Sequence, residues 1–457
     1  MKEKAIIKET SSVCPVCLKK IPATIVKAKR EVYLDKTCPD HGDFSTIVWR
    51  GFPSYEQWGE GQEGFGPELL LQEEELGCPY DCGLCVNHKA QTCTVLMEVT
   101  ADCNMKCPVC FAQANDAEKE AQPELEELKM MLKVVLESGG PFPLQLSGGE
   151  PTFREDLPEI IYMAKKMGFE HIQVNTNGLK LAQDPAYAME LKTAGLDLVY
   201  LQFDGVTDVV YQATRGRNLT DIKEKAIQHC AEAKLAVQLV PTVIPGVNDQ
   251  QIGAIIDYAK KWIPTVKGVH FQPVSYFGRF PEAPDNASRI TLPEVLQLME
   301  KQTNGEVRVA DFLPRKRKDS HCGFSGFYVL DDENRLKPTT SFSNKASNEN
   351  RPGARIPTNP AVHVRNFIKN RSVYVAEEAC ACTAAGNTKK AMGTGSLASR
   401  AKTHYLSISG MPFQDAWTLD LERLEGCCVH VIDRKTKKMI PFCSKYLTSI
   451  DGKELRQ

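Results

Sequence analysis

The 457-residue chain has no long apolar run, and no stretch approaches the roughly 18 residues a membrane-crossing helix needs. Its first residues, MKEKAIIKETSSVCPVC, contain no apolar h-region, so no secretory signal is expected. Neither charge is in excess. The 56 Lys and Arg against 58 Asp and Glu leave a net charge of −2, which disfavours a nucleic-acid partner. GxSxG, P-loop and HExxH motifs are missing, and no carboxylate pair stands out, so acid–base schemes gain no support. No low-complexity tract is present. With 42% hydrophobic and 25% charged residues the composition is that of an ordinary globular chain, neither collagen-like nor generally disordered nor polytopic. These absences together give a cytoplasmic expectation, with at most a peripheral place at a membrane.

What the chain does have is cysteine, 17 in all. Ten lie between positions 14 and 110, none between 111 and 229, and six between 322 and 443, with Cys230 alone. In a reducing compartment clustered thiols point to metal ligands more than to disulfides, the competing reading. Cys230 falls in an apolar helical pattern and reads as a small buried hydrophobe.

Residues 1–70 are short segments with Gly, Pro and aromatics, a small β-rich module and linker. From residue 94 a regular alternation begins. Strands are expected at 94–100, 143–149, 171–178, 197–205, 235–243 and 267–273. Helices are expected between them at 123–140, 155–168, 184–195, 219–234 and 248–262. Such alternation means parallel βα units. The expected fold class is α/β: an open (partial) parallel (β/α)6 barrel, a small N-terminal metal-knuckle module and a C-terminal iron–sulfur extension. The expected divisions are 1–75 (metal module and linker), 76–97 (auxiliary cluster segment), 98–305 (barrel) and 306–457 (C-terminal domain with a second auxiliary cluster). After about residue 300 the pattern degrades. RKRK (315–318) is a basic run and 341–360 reads as a surface loop.

Cys103, Cys107 and Cys110, spaced CxxxCxxC, directly follow the first barrel strand. Three thiolates on one loop suit three irons of a [4Fe–4S] cube and leave the fourth iron open to another ligand. Zinc would need a fourth ligand, and no second pair is arranged to supply one. CNMKCPVCF (103–111) with LSGGEP (146–151) resembles the radical S-adenosylmethionine (SAM) enzymes. The resemblance implies that the open iron binds the amino and carboxylate groups of SAM. It further implies that an electron from the cluster cleaves the sulfonium to a 5′-deoxyadenosyl radical, which abstracts hydrogen from an unactivated C–H bond. By that resemblance Cys103, Cys107 and Cys110 hold the cluster and Phe111 contacts adenine. Gly148, Gly149 and Glu150 meet the methionine amino group, Asn175, Thr176 and Asn177 the ribose, and the segment beginning at Ile244 flanks adenine. Asp204 and Arg215 match the family pattern too, and equally suit a turn and a surface pair.

Cys78, Cys82, Cys85 and Cys93 can complete a second cube with no open iron, with a zinc knuckle as competitor. His88 inside this run is expected outside the ligand set. Cys14, Cys17, Cys38 and His41 fit closed tetrahedral coordination of zinc, or a mononuclear iron, in a structural role. The wider pattern, with CCVHV (427–431) and IPFC (440–443), resembles one radical SAM subgroup that includes archaeal tetraether lipid synthase and pterin-modifying radical methyltransferases. It implies a third cluster drawing on Cys322, Cys427, Cys428 and Cys443, with Cys428 and Cys443 the foremost pair. Cys380 and Cys382 are poorly spaced to share a cube. The implied reaction is coupling of alkyl lipid chains by sp3–sp3 C–C bond formation, which needs a dry apolar tunnel. The alternative is methyl transfer to a pterin or similar small molecule, and a non-catalytic iron–sulfur carrier is the third reading. Expected cofactors are three [4Fe–4S] clusters, SAM and one zinc or iron. Expected partners are a reductant such as ferredoxin or flavodoxin and an apolar lipid or small-molecule substrate.

Overall fold

The computed structural model describes residues 4–59, 76–81, 83–115, 122–314, 319–341, 400–401 and 403–456. The 315–318 basic run, nearly all of the 341–360 loop, Cys82, Cys380 and Cys382 lie outside them.

The N-terminal module is a four-stranded antiparallel meander of β1 (Ala5–Val13), β2 (Lys20–Ala28), β3 (Glu31–Cys38) and β4 (Gly42–Arg50). It docks through specific polar contacts. Lys36 donates to the Ala416 carbonyl at 2.6 Å, Arg50 pairs with Glu294 at 2.7 Å, and the Ile47 amide donates to Asn286.

The barrel strands are β5 (Thr94–Thr100), β6 (Leu144–Gly148), β7 (Ile172–Thr176), β8 (Leu198–Gln202), β9 (Ala236–Val240), the short β10 (Thr242–Val243) and β11 (Val266–Pro273). Apart from β10, which pairs only with β11, they lie side by side in chain order, all parallel. Runs such as AVQLV and LQLSG are buried at every position, as parallel strands covered on both faces must be. The helices seal the outer face through stripes at helical spacing: Leu128, Met131, Leu132 and Val135 on Leu125–Glu137, and Ile252, Ile255, Ile256 and Ala259 on Ile252–Lys261. Cys230 is buried in the helix Thr220–Glu232.

The C-terminal region departs from a simple appendage. It supplies β12 (Leu313–Pro314), β13 (Phe324–Leu330), β14 (Leu336–Pro338), β15 (Tyr405–Gly410), β16 (Val429–Ile432) and β17 (Met439–Pro441). β15 adds parallel to β11 at one edge of the barrel sheet, and β16 adds parallel to β5 at the other. Antiparallel β13 and β17 lie outside these two. Eight parallel strands thus curl round the interior, two more than the sequence pattern suggests. No ladder joins β15 to β16 among the described residues, so the barrel stays open.

Candidate active site and metal centres

The functional loops of a parallel barrel lie where its strands end. Here the C-terminal ends of β5 to β8 carry, in turn, Cys103 with its loop, Gly148-Gly149-Glu150, Asn175-Thr176-Asn177 and Asp204. All of these except Asp204 border one cavity of about 370 Å³, together with Cys107, Cys110, Phe111 and Arg215.

Close packing dictates the glycines. A Cβ on Gly148 would sit 2.2 Å from the Thr100 carbonyl oxygen, and one on Gly149 the same distance from that of Asp102. Gly148 also has φ +117°, a conformation that costs glycine little. The cysteine loop therefore rests directly on the β6 turn, where the Gly149 and Glu150 amides donate to the Thr100 and Asp102 carbonyls at 2.8 Å.

Glu150 is buried and fully engaged. Its carboxylate accepts from the Thr152 amide and hydroxyl, the Thr176 hydroxyl at 2.7 Å and the Asn177 amide at 2.7 Å. It ties the end of β6 to the end of β7, and burial pushes its carboxyl above the usual range against those hydrogen bonds. Asn177 donates to Asn104 of the cysteine loop at 2.7 Å and accepts from the Leu179 amide. Ile244 is the one expected site residue of this set that does not border the cavity. It packs half-buried against the cluster containing Val274 and Trp417.

Two bracing residues escaped the sequence reading. Asn115 accepts from the Cys103 amide and donates to the Cys103 and Met105 carbonyls. Arg279 exchanges backbone hydrogen bonds with Cys110 at 2.9 Å and donates to the Cys107 and Ala114 carbonyls. Only tertiary structure brings Arg279 there. Asp204 and Arg215 form a buried two-point pair at 2.6 and 3.1 Å. Burial opposes both charges, and each group more than offsets it for the other. Burial lowers Lys223 behind them to about 7.

The donor set fits an iron–sulfur cluster. All three thiols border the same cavity, and burial pushes that of Cys103 up to about 12, which favours a cation beside its thiolate.

Cys14, Cys17, Cys38 and His41 bring their ligand atoms within 4.8 Å of one another. His41 Nδ1 is 3.6 Å from Cys14 Sγ and 3.4 Å from Cys38 Sγ, and Cys17 and Cys38 Sγ are 3.9 Å apart. Tetrahedral bonds of about 2.3 Å to sulfur and 2.0 Å to nitrogen put ligand atoms roughly 3.5–3.8 Å apart, so the set fits one closed metal site.

The remaining cysteines regroup. The foremost C-terminal pair by sequence was Cys428 with Cys443. The structure puts Cys428 Sγ 2.9 Å from Cys93 Sγ, because β16 runs beside β5 with Val429 opposite Thr94. Cys78 and Cys85 border a small cavity with His88, which is buried. Burial drives Cys427 well up, with Cys443 and Cys322 adding to it, and drives Cys443 to about 11. Arg423 donates to Cys322 Sγ at 3.0 Å.

A partial parallel barrel with three cysteines and a glycine-rich turn at its mouth defines an enzyme frame for SAM and a [4Fe–4S] cluster. The radical SAM superfamily model matches residues 97–259, and the HMPTM N-terminal zinc ribbon domain matches residues 6–50. The 7,8-dihydro-6-hydroxymethylpterin dimethyltransferase of Methanocaldococcus jannaschii is 37% identical over 96% of this chain and 93% of its own. A probable GTP 3′,8-cyclase of Methanococcus maripaludis is 33% identical over 39% of this chain and 58% of its own. Among solved structures, Streptococcus suis SuiB aligns with a TM-score of 0.40 and 16% identity, over 48% of this chain and 47% of that one. The chain belongs to the radical SAM superfamily, in the family of that archaeal dimethyltransferase. It is a radical SAM enzyme, and the family brings a [4Fe–4S] cluster, SAM, a further metal in the ribbon and the need for a reductant. None of the helices among the described residues is long and apolar enough to cross a membrane.

Proposed function

We propose that the protein is a radical SAM methyltransferase acting on a pterin-class heterocycle. The observation that carries this reading is the cavity beneath the cysteine triad, whose floor is lined by Gln145, Gln173, Asn175, Gln238, His270 and Ser409. A polar floor suits a heterocycle rich in donors and acceptors, and burying such groups against an alkyl chain would leave them unpaired. The pterin enzyme named above supports the same choice, since the likeness spans nearly the whole chain. Coupling of alkyl chains gains no support from the relatives; around this amide patch the cavity is lined by apolar side chains such as Leu96, Phe277, Met411 and Phe442.

In this reading Cys103, Cys107 and Cys110 would hold a [4Fe–4S] cluster, which would supply the electron for reductive cleavage of SAM. Gly148 and Gly149 let the backbone approach, Glu150 and Asn177 fix the strand ends, and Phe111 walls the mouth against Phe442 and Tyr446. Residues 1–75 and 306–457 serve as support: the first carries the ribbon metal, and the second adds a strand to each barrel edge and contributes cysteines to auxiliary clusters.

The test is anaerobic incubation of reconstituted protein with 7,8-dihydro-6-hydroxymethylpterin, SAM and a low-potential reductant. The expected result is a pterin heavier by one or two methyl groups, formed with 5′-deoxyadenosine. Methyl-labelled SAM, the only methyl donor supplied, should pass its label into the product. Unaltered pterin in an incubation that does form 5′-deoxyadenosine would overturn the reading.

A further inference from the structure

The interior of a closed parallel barrel is ordinarily filled by branched apolar side chains. This one places primary amides there, on neighbouring strands and in register. Gln145 on β6 stands opposite Gln173 on β7. One row nearer the mouth, Asn175 on β7 stands opposite Tyr200 on β8, and Tyr200 opposite Gln238 on β9. All of them border the cavity under the cysteine triad.

Two details separate this floor from filler. Gln145 Nε2 donates to Asn175 Oδ1, and Asn175 Nδ2 donates to Ser147 Oγ at 3.1 Å, so these amides are held in one orientation. Gln238 is 92% buried, yet its Nε2 has no partner among the described residues. The structure also makes room for it. A Cβ on Gly268 of β11 would lie 2.9 Å from Gln238 Oε1 and 2.1 Å from Ser407 Oγ, so only glycine leaves space there. A buried donor left open beside a cavity is explained when a ligand supplies the acceptor.

We propose that Gln238, with Gln145 supporting it from across the floor, reads the 2-amino-4-oxopyrimidine ring of the substrate and sets specificity for it. A primary amide offers a donor and an acceptor side by side, the complement of that ring's lactam and amino edge. The inference rests on the pterin reading for its preferred ligand. Guanine nucleotides present the same ring edge, so the two sources are separated by experiment.

The test uses full-length, cluster-loaded protein under anaerobic conditions. Binding of 7,8-dihydro-6-hydroxymethylpterin, its 2-oxo (lumazine-type) counterpart and GTP is compared for the wild type, Gln238→Met and Gln145→Met. The wild type is expected to prefer the pterin over the 2-oxo compound by roughly tenfold or more, and Gln238→Met to lose that preference. Iron content and SAM binding report whether each variant is intact. If Gln238→Met loses iron, Gln145→Met carries the same comparison from another strand. Pterin binding with an unchanged preference in an intact variant overturns the inference and leaves the pterin reading standing. GTP binding in place of the pterin, with the same dependence on Gln238, upholds the amide floor and overturns the pterin reading. A wild type that binds none of the three overturns both.

Discussion

Two cysteine-rich regions of this chain are built in opposite ways. The ribbon draws Cys14, Cys17, Cys38 and His41 from two turns of one small sheet, and all four ligands come from within 28 residues of sequence, with Tyr80 and Ile450 adding hydrogen bonds to the first turn. The auxiliary cysteines meet only through tertiary structure. Cys93 finds Cys428 because the short strand β16 inserts beside β5, and Cys427 comes under the influence of Cys322 and Cys443 from two other segments. A locally closed site can be lost without disturbing the barrel. A site assembled from distant segments stands or falls with the strand pairing that assembles it. The triad of Cys103, Cys107 and Cys110 lies between these extremes, with local ligands braced by distant Arg279.

The largest expected effect falls on the triad. Replacing Cys103, Cys107 and Cys110 with Ala should reduce 5′-deoxyadenosine formation to background, while the ribbon keeps its metal. Next comes the Cys93–Cys428 pair. Cys428→Ala should lower the iron and sulfide count as much as Cys93→Ala, and the double variant no further than either, the non-additivity expected of one shared unit. Additive losses, or a Cys428→Ala protein with full iron, would break the contrast between the two regions. A smaller effect is expected from emptying the ribbon. Cys14→Ser should cost one metal equivalent and expose residues 5–50 to proteolysis, because such modules fold on their metal. The barrel iron should stay unchanged, and its loss would show that the ribbon is not self-contained.

The smallest effect concerns the seam between barrel and C-terminal region. Glu127 on Leu125–Glu137 pairs with Arg434 at 2.7 Å and Lys437 at 3.1 Å, and these hydrogen bonds pull its carboxyl down to about 2. Glu127→Gln should cost no more than about 1 kcal/mol, as partly exposed pairs do. A depressed carboxyl stabilises above its unfolded pKa and loses that contribution as pH falls. The Tm gap between wild type and variant should therefore shrink as pH drops from 4.5 towards 2. A gap that widens in acid would place the pair's contribution elsewhere.

The six barrel strands were legible because each is a short apolar run bounded by turn residues, and the observed strands fall within one residue of those windows or inside them. The ribbon tetrad was legible because its ligands are near in sequence. The two extra parallel strands were not. VHVI and YLSISG are short, and their partners lie more than a hundred residues away, so no local period marks them. The same distance hid the meeting of Cys93 with Cys428 and the clamp of Arg279. The amide floor escaped for a different reason. A single Gln inside LQL, IQV or VQL reads as strand alternation, and only the barrel shows that these positions face one space.

Three thiolates at the barrel mouth would leave one corner of a cube open for SAM. The most direct test is quantitation of 5′-deoxyadenosine after anaerobic reduction of cluster-loaded protein with excess SAM. About one equivalent or more per protein chain is expected from the wild type and none from the Cys103/Cys107/Cys110→Ala variant. A fully loaded wild type that releases no 5′-deoxyadenosine would contradict that expectation.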